Sequence, residues 1–288
     1  MASWLLGTGI MLIHVLGMIS AVMALMSSRT SQGAVAWIIS LLTFPYAAVP
    51  AYWLFGRPRF YGYVTARGAR DSVLRRVLVR YRHNVKPHVA ISDNTDIQAV
   101  EQLAMMPLTK GNSTELLIDG DATFDSLFAG INQAQDYLLI QFFIVRDDEL
   151  GRQLQQHLIA AVKRGVRVYF LYDEIGSRKL NDGYLNELST SGAEVTPFRS
   201  SRGLKHRFQL NFRNHRKIAV VDGKQGWIGG FNVGNEYLGK SAKHGPWRDT
   251  HLKVQGPCVL GLQEAFWEDW HWATGDVITL NWHAESHP

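Results

Sequence analysis

Apolar residues crowd the first fifth of the chain and alternate with polar ones afterwards. Trp4 to Met26 carries no charged side chain, and Ala34 to Phe55 repeats the pattern with Trp37, Tyr52 and Trp53 near its ends. Each run reaches the roughly 20 residues that a helix needs to cross a bilayer. Together they predict a membrane-anchoring helical hairpin over residues 1–56. Pro45 and Pro50 fall inside the second run and predict a kink there, which packing within a membrane tolerates. A cleaved signal peptide fits less well, because Met1-Ala2-Ser3 offers no basic segment and a second apolar run follows directly.

Residues 57–112 read as a basic juxtamembrane segment and connector. From Arg57 to Lys86 there are nine lysines and arginines (Arg57, Arg59, Arg67, Arg70, Arg75, Arg76, Arg80, Arg82, Lys86) against one acid, Asp71, whereas the loop Ser27 to Gly33 holds only Arg29. This asymmetry predicts that everything after the anchor is cytoplasmic. Arg70, Arg75, Arg76, Arg80 and Arg82 would also make a cationic strip for anionic headgroups. Pro87 to Asn112 is polar, with a short helical stretch from Ile97 to Met105.

From residue 113 to 288 short apolar runs alternate with helical periodicity. Strands are expected at Glu115–Ile118, Tyr137–Val145, Val166–Tyr172, Glu194–Phe198 and Thr250–Val254, with a hairpin from Arg216 to Gly230. Helices are expected at Ala122–Gln135, Glu149–Arg164, Asp182–Thr190 and Cys258–Ala273. That order predicts an α/β domain with a mixed sheet covered by helices. Leu262, Phe266, Trp267 and Trp270 share one face of the last helix and read as a core stripe. Asp249, His251 and Lys253 alternate with Thr250, Leu252 and Val254, as on any two-faced strand.

Composition adds a partner class. The 288 residues are 46% hydrophobic, with net charge +5 and a pI near 9.3, which suits an anionic partner such as phospholipid or nucleic acid. The single cysteine, Cys258, excludes an intrachain disulfide. Neither H-E-x-x-H nor a phosphate-cradling G-x-x-x-x-G-K-[ST] occurs, so no metal or other cofactor is expected.

The candidate chemistry lies in one string. Asn214-His215-Arg216-Lys217-Ile218-Ala219-Val220-Val221-Asp222 is followed by Gly229-Gly230-Phe231-Asn232, giving H-x-K-x4-D-x6-G-G-x-N once in the chain. A neutral imidazole is a competent nucleophile toward a phosphodiester, and a covalent step divides one difficult displacement into two. Lys217, two residues on, places an ammonium where phosphoryl charge must be held. Asn232 would donate a hydrogen bond to the same oxygens, and Gly230 would let backbone approach them. Asp222, opening the turn Asp222-Gly223, would anchor a loop or a histidine proton.

This string resembles the signature of the phospholipase D superfamily, with Gly230 where serine is more frequent. Asn211 to Lys217, Gly234 to Gly239, Trp247 to His251, Ile140 to Asp148 and Leu171 to Ser177 are similar to bacterial cardiolipin synthases, and the resemblance covers nearly the whole chain. It implies a phosphatidyltransferase held by a multi-pass anchor in a bacterial inner membrane, with His215, Lys217 and Asp222 catalytic and Lys217, Asn232 and Gly230 holding the phosphate. Two phosphatidylglycerols would give cardiolipin and glycerol through a phosphatidyl-histidine, with no cofactor and no nucleic acid as partner.

Superfamily members build one site from two motifs, so a second copy of this chain or a missing C-terminal half would supply the other histidine. A homodimeric phospholipase or nuclease, and an inactive module that binds anionic lipid, are the alternatives. Supporting roles are open for Glu236 as a carboxylate bridge to His215, for His206 at the substrate glycerol, and for Arg199, Arg202, Lys205, Arg207, Arg213 and Arg216 as an anion-attracting approach.

Overall fold

The computed structural model describes residues 1–28, 30–56, 72–104, 106–199 and 214–287. Arg29, Arg57, Arg59, Arg67, Arg70, Arg202, Lys205, His206, Arg207 and Arg213 lie outside the described residues, as do the side chains of Arg75 and Arg76. The chain forms two compact units, described separately.

In the N-terminal unit, helix α1 (Ala2–Ser27) runs for 26 residues and is long and apolar enough to cross a membrane over Leu6–Ser27. The second apolar run is not one unbroken helix. Helix α2 (Ser31–Thr43) begins on the Thr30 side chain, which accepts from the Gly33 amide at 3.1 Å, and stops at Phe44. Helix α3 (Pro45–Ala51) and a π-turn at Tyr52–Gly56 follow. The break has a local cause: Pro45 disfavours helical geometry at the residue before it, and Phe44 sits at φ −130°, ψ 55°. Gly17 lets α1 and α2 meet closely, since a Cβ there would lie 2.6 Å from the Leu41 carbonyl oxygen. Leu41, Ala48, Val49 and Tyr52 are buried with Ala21 and Ala24, and Trp53 donates to the Ser20 hydroxyl at 3.0 Å. Leu6, Met11, Leu12, Val22 and Leu25 face outward, as lipid-facing side chains would.

The second unit opens with α4 (Ser72–Val85) and α5 (Thr95–Ala104). Then come β1 (Ser113–Ile118), α6 (Asp119–Gln133), β2 (Tyr137–Phe142), α7 (Glu149–Lys163), β3 (Arg167–Asp173), α8 (Asp182–Thr190) and β4 (Glu194–Phe198). After the motif loop follow β5 (Ile218–Val221), β6 (Gln225–Gly229), β7 (Thr250–Gln255) and α9 (Val259–Thr274). The sheet order is β1-β7-β6-β5-β2-β3-β4. The βαβ crossovers make β2, β3 and β4 parallel, and the motif hairpin joins antiparallel to β2 through β5. The sheet is therefore mixed, as expected.

Both faces of β2 are covered, which is why its sequence Tyr-Leu-Leu-Ile-Gln-Phe is nearly all apolar. On one face Leu127, Ile131, Leu154 and Leu158 of α6 and α7 pack on Leu138, Ile140, Phe170 and Ala219. On the other, α9 buries Phe266, Trp267 and Trp270, and Trp270 meets Tyr169 edge-on with centroids 5.2 Å apart. The helical stripe on α9 is thus a core stripe. Strand β2 ends at Phe142 rather than Val145, because the next amides turn away: Ile144 donates to Asn232 Oδ1 and Val145 to Ser177 Oγ.

Candidate active site

Strand β5 sits between β6 and β2 with all four of its residues buried, and so delivers whatever precedes it to one fixed edge of the sheet. His215 and Lys217 precede it and alternate with Arg216. The His215 ring is exposed and stacks on Phe143, with centroids 3.8 Å apart and planes at 25°. The Lys217 ammonium lies 5.3 Å from the centre of the same Phe143 ring and donates to the His215 carbonyl at 2.7 Å. One aromatic side chain therefore seats both the imidazole and the cation. Burial pushes the Lys217 ammonium below the ordinary lysine range, and the carboxylates of Asp249 and Asp173 oppose that shift.

Phe143 is itself held. Ser177 Oγ donates to the Phe143 carbonyl at 3.2 Å and accepts from Val145 N at 3.0 Å, and Gly176 is small because a Cβ would strike that carbonyl. Asn232, 6% exposed, accepts from Ile144 N at 2.9 Å and donates to the Tyr237 hydroxyl at 3.2 Å. Its carboxamide thus braces the loop that carries Phe143, a role the motif alone did not reveal.

The two motif glycines make room for β7. A Cβ on Gly229 would lie 2.6 Å from the His251 ring, and one on Gly230 would lie within 2.5 Å of the Asp249 carboxyl carbon. Gly230 N donates to the Thr250 carbonyl at 3.0 Å, so its amide serves the sheet instead of an incoming phosphate. Asp249 occupies the space that a side chain at 230 would take, which explains the missing serine. His251 is 3% exposed, and burial holds its pKa down at about 4, with Lys217 adding to the drop and Asp249 opposing it.

Four expected residues have their partners away from this cluster. Asp222 lies beyond Val221 at the opposite end of β5, where its carboxylate accepts from the amides of Gln135, Asp136 and Tyr137 at 2.9, 2.8 and 2.9 Å. Its φ of +54° starts the Asp222-Gly223 turn, and its carboxylate anchors the backbone of residues 135–137 instead of meeting the His215 cluster. Glu236 pairs with Arg146 at 3.1 Å instead of bridging to His215. Arg199 pairs with Glu174 at 3.4 Å, and Arg216 turns inward to Asp269 at 2.5 Å.

Sequence reasoning passed over Phe143, Asp173, Asp249 and Asp269. A signal existed for Asp269: an acid beside Trp270 in an apolar helix is expected to be paired.

Comparison with known proteins follows this geometry. Residues 127–245 match the family described as cardiolipin synthase, PLD-like domain, and residues 9–57 match the phospholipase D-nuclease N-terminal family. The chain is 45% identical over 274 residues to a cardiolipin synthase A of Pseudomonas putida, covering 93% of this chain and 57% of that protein. Cardiolipin synthase A of Pseudomonas fluorescens is 44% identical over 278 residues, covering 94% and 58%. The chain thus spans somewhat more than half the length of these curated relatives.

Among solved structures, NucT from Helicobacter pylori is 15% identical with a TM-score of 0.44, covering 56% of this chain and 98% of its own. Nuc from Salmonella typhimurium is 17% identical with a TM-score of 0.43, covering 56% and 96%. Scores this low carry no weight here. By its two family matches and these relatives, the chain belongs to the cardiolipin synthase family of phospholipase D-like proteins.

Proposed function

We propose that this chain carries one half of the active site of a membrane phosphatidyltransferase that makes cardiolipin from two phosphatidylglycerols. The observation behind this reading is the exposed His215 imidazole stacked on Phe143 beside the Lys217 ammonium. His215 attacks phosphorus, an N–P bond forms, and the bond to the glycerol oxygen breaks. The leaving oxygen takes a proton from a second histidine. A hydroxyl of the next phosphatidylglycerol then gives its proton to that histidine, attacks phosphorus and releases His215.

Lys217 balances charge on the phosphoryl oxygens while the two bonds exchange. Asn232 acts from behind by bracing the Phe143 loop. The transfer exchanges one phosphodiester for another, so it requires no energy source. The second histidine comes from a second copy of this chain or from the remainder of a longer protein of the family. The apolar helix α1 anchors the site at a membrane in which the substrate resides, with the second apolar run, broken at Phe44, completing a multi-pass anchor and the α/β unit on the cytoplasmic side.

Purified protein given phosphatidylglycerol labelled in its headgroup glycerol should form cardiolipin and free labelled glycerol. Phosphatidic acid as the product would mean hydrolysis, and degradation of a nucleic acid would mean a nuclease. His215→Ala should abolish turnover and the acid-labile phosphorus adduct. Turnover that survives this substitution rejects the nucleophile. Binding of anionic lipid without any product would leave only the lipid-binding module.

A further inference from the structure

His215 is exposed, yet the residues on both sides of it are gripped from inside the protein. Asp269 on α9, 55 residues beyond Asn214, is 1% exposed. One of its oxygens, Oδ2, accepts from Asn214 Nδ2 at 2.6 Å, from Arg216 Nη1 at 2.5 Å and from Gln141 Nε2 at 2.8 Å. The main chain is tied down as well. Asn214 N donates to Asp173 Oδ2 at 3.0 Å, and Arg216 N donates to Asn214 Oδ1 at 3.1 Å.

We propose that Asp269 is the positioning residue of the site, fixing His215 over Phe143 by holding Asn214 and Arg216 from one buried carboxylate. The inference rests on the reading of His215 as the nucleophile. A buried carboxylate is costly to keep unless its donors satisfy it, so the three donors and the acid lock one another into one arrangement. Residues 214 and 216 leave His215 little freedom except rotation of its own side chain, and the Phe143 ring limits that rotation. The packing of α9 has its own source in Phe266, Trp267 and Trp270, so the carboxylate is not what holds the helix to the sheet. A displacement of about 1 Å at a nucleophile is enough to cost on the order of 100-fold in rate.

The test uses the whole chain in detergent with histidines and tryptophans labelled for NMR. Ring current from Phe143 should shift the His215 ring protons upfield, with the signals assigned by their loss in His215→Gln. In Asp269→Asn, which keeps the shape and one acceptor oxygen but removes the negative charge that three donors, one of them the Arg216 guanidinium, share, that shift should collapse while the Trp227 indole signal stays in place. In the phosphatidylglycerol assay the same variant should lose about 10- to 100-fold in kcat with KM changed by less than about twofold. A core variant that only destabilises, Ile131→Val, should move neither the shift nor the kcat of folded protein.

If Asp269→Asn fails to fold, Asn214→Ala removes one arm alone and should give a partial loss of the shift. An upfield shift absent from the parent protein, or retained in the folded variants, overturns the proposal. Absence of phosphatidylglycerol turnover in the parent, also when the remainder of a family synthase is supplied, would instead overturn the reading of function, while the ring shift still decides the role of Asp269.

Discussion

The His215 imidazole lies 3.8 Å from Phe143, centroid to centroid, and this stack gives an exposed side chain a defined orientation without burying it. Aromatic pairs of this kind are worth about 0.5–1.5 kcal/mol beyond their area. The same ring faces Lys217, so nucleophile and cation depend on one apolar support.

Phe143→Ala should therefore lower kcat by about 10- to 100-fold while the protein still folds. Steady-state kinetics beside a thermal melt checks this. A fully active, folded Phe143→Ala would show that the stack is incidental.

Lys217→Met should reduce the rate by about 100- to 1,000-fold, as expected when a preorganised charge is removed from a developing anion. The charged form is the useful one, and burial lowers its pKa. Activity should thus fall on the alkaline side earlier than an ordinary lysine would dictate. A pH–rate profile in vesicles, with its alkaline limb compared against Lys217→Arg, measures this.

Asp222→Ala removes the acceptor of three backbone amides and should cost about 2–3 kcal/mol of stability. The kcat of the folded fraction should stay the same, because the loss occurs at the far end of β5. Chemical denaturation combined with active-site titration separates the two effects.

Gly230→Ser restores the residue more frequent in the superfamily, yet here its Cβ would overlap the Asp249 carboxylate. The single change should cost about 1–3 kcal/mol, and Asp249→Ala should recover most of it in the double variant. A double-mutant cycle on melting temperature tests this coupling, and strictly additive losses would contradict it.

His251 is neutral in the fold with a pKa of about 4, against about 6.5 when unfolded. The unfolded chain binds the extra proton first, so the stabilisation is present above pH 6.5 and is lost as pH falls from 6.5 to 4. The loss should reach roughly 3 kcal/mol at most. His251→Gln should flatten that part of the stability curve. If the acid slope is the same in both proteins, another group is responsible.

Most elements of the α/β unit were legible because their signals are local. Alternation fixes which strand residues face inward, and helical spacing does the same for Phe266, Trp267 and Trp270. The motif string singled out His215 and Lys217 because both stand just before one short strand. In the second apolar run the prolines predicted a kink, but composition measures length and not continuity. Pro45 acts on the backbone of Phe44, and no hydropathy pattern records that.

By itself, then, the sequence determined an apolar N-terminal helix, a mixed sheet covered by helices, and one histidine–lysine pair at a strand entrance. Only the tertiary structure decided that Asp222 anchors a distant turn, that Asn232 braces a loop, that Asp249 fills the space beside Gly230, and that Asp269 grips both neighbours of His215. The physical reason is range. Periodicity along a strand or helix is set by neighbours two to four residues apart, whereas a carboxylate finds its donors across 50 to 130 residues only after β5 has taken its place beside β2 and α9 has packed across them.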